Sequence, residues 1–152
     1  MLIKEPLAED IDMKYQHILV ALDLSEESNL LIDKAVYHAE LVNAKVSFIH
    51  VDGSIGEIYP ELVDIKADPD QRPLNLHAME VLHKYQEYIE YPLSHFFVGT
   101  GDLAEKLKDL CQEQSIDLII CGHHHDLLSH FISYSRRLLN KANVDVLVVP
   151  VK

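Results

Sequence analysis

The residues best placed to do chemistry in this chain fall within 116–152. An apolar run, Ile116-Asp117-Leu118-Ile119-Ile120-Cys121, reads as a buried strand that ends in Gly122, and His123-His124-His125 follow at once. A strand, a glycine turn and a helix form the place where α/β proteins hold phosphate, because the first helix N–H groups and the dipole face the anion. The glycines that would let a phosphate approach are mostly missing after Gly122. Three consecutive histidines invite a metal, but zinc ligands are usually spaced several residues apart and no fourth ligand is evident nearby. No metal site is expected. Protonated imidazoles beside a helix N-terminus would hold phosphate weakly at low pH. A second candidate is Asp23, which closes the run His17-Ile18-Leu19-Val20-Ala21-Leu22, with Ser25 just beyond. The bland alternative is that Asp23 ends a strand and Ser25 caps a helix. No G-x-S-x-G elbow, P-loop or dinucleotide fingerprint occurs. No catalytic residue is assigned, and the expectation is a protein that is not an enzyme.

These residues need a scaffold, and the pattern supplies one. Residues 17–23 read as a strand, apolar at consecutive positions as suits a strand buried on both faces. Ser25 is a good cap for a helix reaching about Val42, with Leu31, Ala35, His38, Ala39 and Val42 along one side. Residues 45–51 form a second strand. Residues 52–73, with Gly53, Gly56, Pro60, Pro69 and Pro73, read as a long irregular loop. A helix over 75–89 carries the stripe Leu76, Met79, Leu82, Tyr85 and Ile89. A third strand over 93–98 ends in the turn Gly99-Thr100-Gly101. Asp102 and Glu105 then resemble a capping box for a helix to about Gln114. The fourth strand spans 116–121, the last helix about 127–141, and the fifth strand 145–149. Arg136, Arg137 and Lys141 suit the C-terminal end of that last helix. Strand and helix alternate, so the sheet is expected to be parallel with helices on both faces.

Twenty-five acids against thirteen bases give a formal charge of −12. That balance argues against nucleic acid or an anionic membrane as the main partner. No apolar run is long enough to span a bilayer. Residues 1–12 carry net negative charge and no apolar core, so they read as a polar arm rather than a signal peptide, before one domain over 13–152. Cys111 and Cys121 lack metal spacing and read as buried free thiols. A cytoplasmic protein is expected.

Five stretches in order carry a resemblance. They are His17-Ile18-Leu19-Val20-Ala21-Leu22-Asp23-Leu24-Ser25; Ala44-Lys45-Val46-Ser47-Phe48-Ile49-His50-Val51-Asp52; Gly99-Thr100-Gly101-Asp102-Leu103; Asp117-Leu118-Ile119-Ile120-Cys121-Gly122-His123-His124; and Val144-Asp145-Val146-Leu147-Val148-Val149-Pro150. Together they resemble the universal stress protein family, in its UspA-like branch. The resemblance implies a Rossmann-like, five-stranded open parallel sheet of order 3-2-1-4-5. It also implies a cytoplasmic homodimer that serves the stress response. Part of the family binds ATP through a motif of three glycines and a hydroxyl residue after the fourth strand. Laid on this chain, those positions fall on Gly122, His125, Ser135 and Arg136, so one of four survives. Asp23 matches the aspartate that ATP-binding members place at the nucleoside. The branch shares the degenerate motif, which argues against tight ATP binding; no cofactor is expected. In the implied order the last strand is an edge, so Val146, Leu147, Val148, Val149 and Pro150 are the expected dimer contact. Protein partners are expected but unknown. Two rivals remain: an ATP-binding switch or slow ATPase with a rearranged loop, and an acid-responsive binding module built on ten histidines.

Overall fold

The computed structural model describes residues 13–22, 27–52, 62–67, 76–100, 103–124 and 144–151. In chain order these form β1 (His17–Ala21), α1 (Ser28–Val42), β2 (Lys45–Asp52), β3 (Val63–Asp64), α2 (Leu76–Tyr88), β4 (Leu93–Thr100), α3 (Leu103–Gln114), β5 (Leu118–His124) and β6 (Asp145–Val151). They build one sheet of order β3-β4-β2-β1-β5-β6. All pairings from β4 to β6 are parallel, so the expected order of five strands is present unchanged.

Consecutive apolar residues in each strand serve opposite faces of the sheet, because the side-chain period is two. Ile18, Val20, Phe48, Phe96, Leu118 and Ile120 pack under α1 and α2, which contribute Leu31, Ile32, Ala35, Met79 and Leu82. Leu19, Ile49, Phe97 and Ile119 pack on the other face against Leu107, Leu110 and Cys111 of α3. The rings of Phe48 and Phe96 meet edge to face at 5.2 Å and 88°. Among the described residues no helix is long and apolar enough to cross a membrane.

The structure corrects several boundaries. A sixth strand, β3, lies within the segment read as irregular loop and pairs antiparallel with β4, Val63 opposite Val98 and Asp64 opposite Phe97. The Asp64 carboxylate holds it, accepting the Phe96 and Lys66 N–H groups at 3.0 and 3.1 Å. It also meets His95 Nδ1 at 2.8 Å. Ile65 is fully buried just beyond, and Lys66 Nζ donates to the Leu93 carbonyl. Gly99 and Thr100 belong to β4 rather than to a turn, because Val51 and Asp52 pair with them. Likewise β5 does not stop at Gly122 but continues to His124, paired with β6 throughout.

Helix α1 buries Leu31, Ala35 and Ala39 as its spacing predicts, together with Ser28 and Ile32. His38 leaves the buried stripe; it is exposed, its ring edge-on to Tyr37 at 5.7 Å. Glu27 is the cap position and makes no side-chain cap bond, while Ser25 lies outside the described residues. The helix ends at Asn43, left-handed at φ 58°, whose N–H reaches the Ala39 carbonyl. Asparagine tolerates that conformation better than most residues.

Candidate functional site

Strand β1 has β2 on one side and β5 on the other, so the direction of strand order reverses there. Ligands in open α/β sheets bind at the carboxyl ends of the strands at such a reversal. The exit of β1 is pinned on the β2 side: the Leu22 N–H donates to the Ile49 carbonyl at 2.9 Å. His50 Nδ1–H donates to the Leu22 carbonyl at 2.7 Å, with the imidazole buried. Sequence reading gave His50 no role; its signal was a lone histidine near the end of an apolar strand.

On the other side stands Gly122, registered against Val149. A Cβ placed there would lie 3.4 Å from Leu31 Cδ1 and 3.4 Å from Val151 Cγ1. At these distances a methyl group just fits beside this glycine, and anything larger meets Leu31 of α1 and Val151 of β6. Residues 122–124 are registered against residues 149–151 of β6, so the strand continues past the glycine on that side, whereas the pairing with β1 ends at Ile120. A phosphate cradle needs backbone N–H groups turned outward from a loop. Of the five sequence-selected nucleotide positions, the structure places only Gly122; Asp23, His125, Ser135 and Arg136 lie outside the described residues, as does Arg137. Gly122→Val is expected to overpack against Leu31 and Val151 and to cost about 1–3 kcal/mol. Urea denaturation would check this; unchanged stability would mean that the space is open.

The amino ends of the strands carry a polar cluster. The Asp117 carboxylate accepts the Gln16 N–H at 2.9 Å and the His17 N–H at 3.0 Å. His17 Nδ1–H donates to the Gln114 carbonyl at 2.9 Å, and its Nε2 accepts the Ser47 hydroxyl at 2.7 Å. That tautomer follows because a carbonyl only accepts. The pair has the contacts of an activated serine, yet Ser47 is 0% and His17 4% exposed, which leaves no room for a substrate. Burial is the main cause that lowers the His17 pKa below its ordinary value, and the Gln114 carbonyl partly opposes it. The cluster therefore serves to join strand ends. Burial also pushes the Cys111 thiol up to about 11 and the Cys121 thiol up to about 12, so neither supplies a thiolate near neutral pH. Among the described residues no group of three or more histidines, cysteines and acids could hold a metal ion.

Among the described strands β6 is an edge, with β5 its neighbour in the sheet. Leu147 is exposed, Val146 and Val148 are half-buried, Pro150 is exposed, and Val149 is buried in the core. Proline suits an edge because it has no N–H to offer the ladder.

The model of the universal stress protein family matches residues 14–150 of this chain. Universal stress protein A of Yersinia pestis is 40% identical over 140 residues, which are 92% of this chain and 95% of that protein. The fold is similar to a universal stress protein UspA from Lactobacillus plantarum, at TM-score 0.63 and 21% identity, covering 90% of this chain and 98% of that one. It is also similar to a universal stress protein from Archaeoglobus fulgidus in complex with dAMP, at TM-score 0.59 and 20% identity, covering 90% and 99%.

Proposed function

Because the chain belongs to the universal stress protein family, we propose that it is a cytoplasmic stress-response protein of the UspA type. In this reading it works as a homodimer, through protein contacts, with weak or no ATP binding and no catalysis of its own. One observation carries the reading: the single glycine left of the nucleotide motif, Gly122, lies inside a strand with Leu31 and Val151 close against its flank. A nucleotide phosphate needs a glycine-lined loop free to wrap it. The edge strand β6, with Leu147 exposed beside half-buried Val146 and Val148, supports pairing with the same strand of a second copy about a two-fold axis.

A second reading is an adenine-nucleotide switch, favoured by the dAMP complex of the similar Archaeoglobus fulgidus protein. Calorimetric titration with Mg-ATP to millimolar ligand separates the two. No heat is expected. Binding tighter than about 10 μM, roughly −7 kcal/mol, would favour the switch. The same preparation in sedimentation equilibrium is expected at the mass of two chains, and the mass of one would remove the dimer.

A further inference from the structure

Helices α1 and α2 lie on the same face of the sheet, and a groove of about 600 Å³ opens between them. Its floor is apolar, with Val36 and Ile89 half-buried there. Its rim is acidic: Glu40 comes from α1, and Glu87 and Glu90 come from α2 and the residues just after it. Tyr88 hydrogen-bonds through its hydroxyl to Asp33 at 2.8 Å, joining the two sides of the groove. Among the described residues that line it there is no lysine, arginine or histidine. Lys34 and Lys84 stand outside that lining, although exposed Lys34, four residues after Leu30 and three before Tyr37, borders it on α1.

The apolar surface does not stop at the groove. Tyr37, which lines it, is 64% exposed, and Leu30 and Leu41 are 44% and 67% exposed. Residues 30, 37 and 41 are seven and four positions apart, so they share one face of α1. With Lys34 between them, these side chains continue the apolar floor of the cleft out onto the exposed face of α1. The chemistry of the occupant follows from the two halves. A second copy of this chain set two-fold on this face would bring the same carboxylates against themselves, and the chain carries a formal charge of −12. A small diffusible cation would pair with the acids but leave Leu30 and Leu41 uncovered. An amphipathic helix with a lysine- and arginine-rich side meets both needs. Its apolar face covers Tyr37, Leu41 and the floor, and its cations meet Glu40, Glu87 and Glu90. A guanidinium is also suited to the face of Tyr37.

We propose that the α1–α2 groove docks a basic amphipathic helix of a partner protein. The assignment rests on the reading of a protein that works through contacts. It fails separately from that reading, because neither ATP titration nor the mass of the dimer reports on this groove.

The probe is a fluorescent leucine–lysine peptide of about eighteen residues, five helical turns, followed by anisotropy. The comparator is the matching leucine–glutamate peptide. Glu40→Lys with Glu87→Lys is expected to weaken binding of the basic peptide roughly tenfold or more, since it sets like charges face to face. Asp109→Lys with Glu113→Lys changes the net charge equally at exposed positions on α3. That pair is expected to change affinity less than about twofold, because exposed charges beyond a Debye length are largely screened. Tyr37→Ser, which keeps every carboxylate, is expected to weaken binding about fivefold by removing apolar contact. All these positions are exposed, so circular dichroism should be unaltered. Equal losses in the two lysine pairs would reduce the interaction to bulk charge and overturn the site. So would equal binding of the acidic peptide, or spermidine binding at the groove as tightly as the basic peptide.

Discussion

Phe48→Ala is expected to cost about 3–5 kcal/mol of stability, the range for deleting a buried phenylalanine. The ring is fully buried and meets Phe96 edge to face at 5.2 Å, in the middle of the layer between the sheet and the helices α1 and α2. Aromatic pairing adds about 0.5–1.5 kcal/mol beyond the area that is buried. Central strands on both sides, β1 and β4, hold the site open, so collapse onto the cavity is restricted. Equilibrium unfolding in urea measures the effect as a shift in midpoint at constant slope. A loss below about 1 kcal/mol would mean that the layer relaxes and the rings are not a packed pair. Phe48→Leu, which keeps most of the volume, is expected to recover most of the stability.

His17 is expected to make the protein sensitive to acid. Burial holds its pKa below the ordinary value of 6.5, with smaller lowering by His95 and Lys45 and opposing effects from the Gln114 carbonyl and Asp117. The unfolded chain therefore binds a proton that the folded chain resists, and stability rises with pH in that range. The contribution is complete above about pH 6.5 and is lost as pH falls through 6.5 toward the folded-state pKa. Protonation does not by itself break the Ser47 contact, because the hydroxyl can turn to accept instead of donate; the cost is that of charging a buried ring. His17→Ala is expected to lose about 2–3 kcal/mol near pH 7.5, since it leaves Ser47 and the Gln114 carbonyl without their partner. The gap between variant and wild type should narrow at about pH 5, where the wild type has lost its advantage. Urea midpoints at both pH values test this. Parallel profiles would assign the acid response to other histidines among the ten.

The five parallel strands were legible because a strand buried on both faces must be apolar at consecutive residues, and runs such as Ile18-Leu19-Val20 can be little else. Their order was implied by the family resemblance rather than by the runs themselves. What the sequence hid depends on partners far along the chain. Gly99 and Gly122 read as breaks because glycine is a local signal, whereas Val51 and Val149 draw them into ladders. Strand β3 has two residues and no period; it exists because Asp64 finds the Phe96 N–H 32 residues away. His38 fell on a helical stripe whose far side turned out to be open. The surroundings of Gly122 are set by Leu31 and Val151, which no local motif names. The pairing of His17 with Ser47 spans 30 residues and was equally invisible.

The short strand β3 has a consequence for how copies of this molecule can add to one another. A sheet with two long free margins can recruit strangers at both and extend without limit. Here the β4 margin is blunted by a two-residue strand fastened through Asp64, Ile65 and Lys66, which offers almost no ladder to an incoming chain. Among the described strands only β6 remains as a full-length margin. If two copies meet at β6, as proposed, a sheet that can grow from one side only is finished by that contact, and the association would close on itself without an end from which a fibre could propagate.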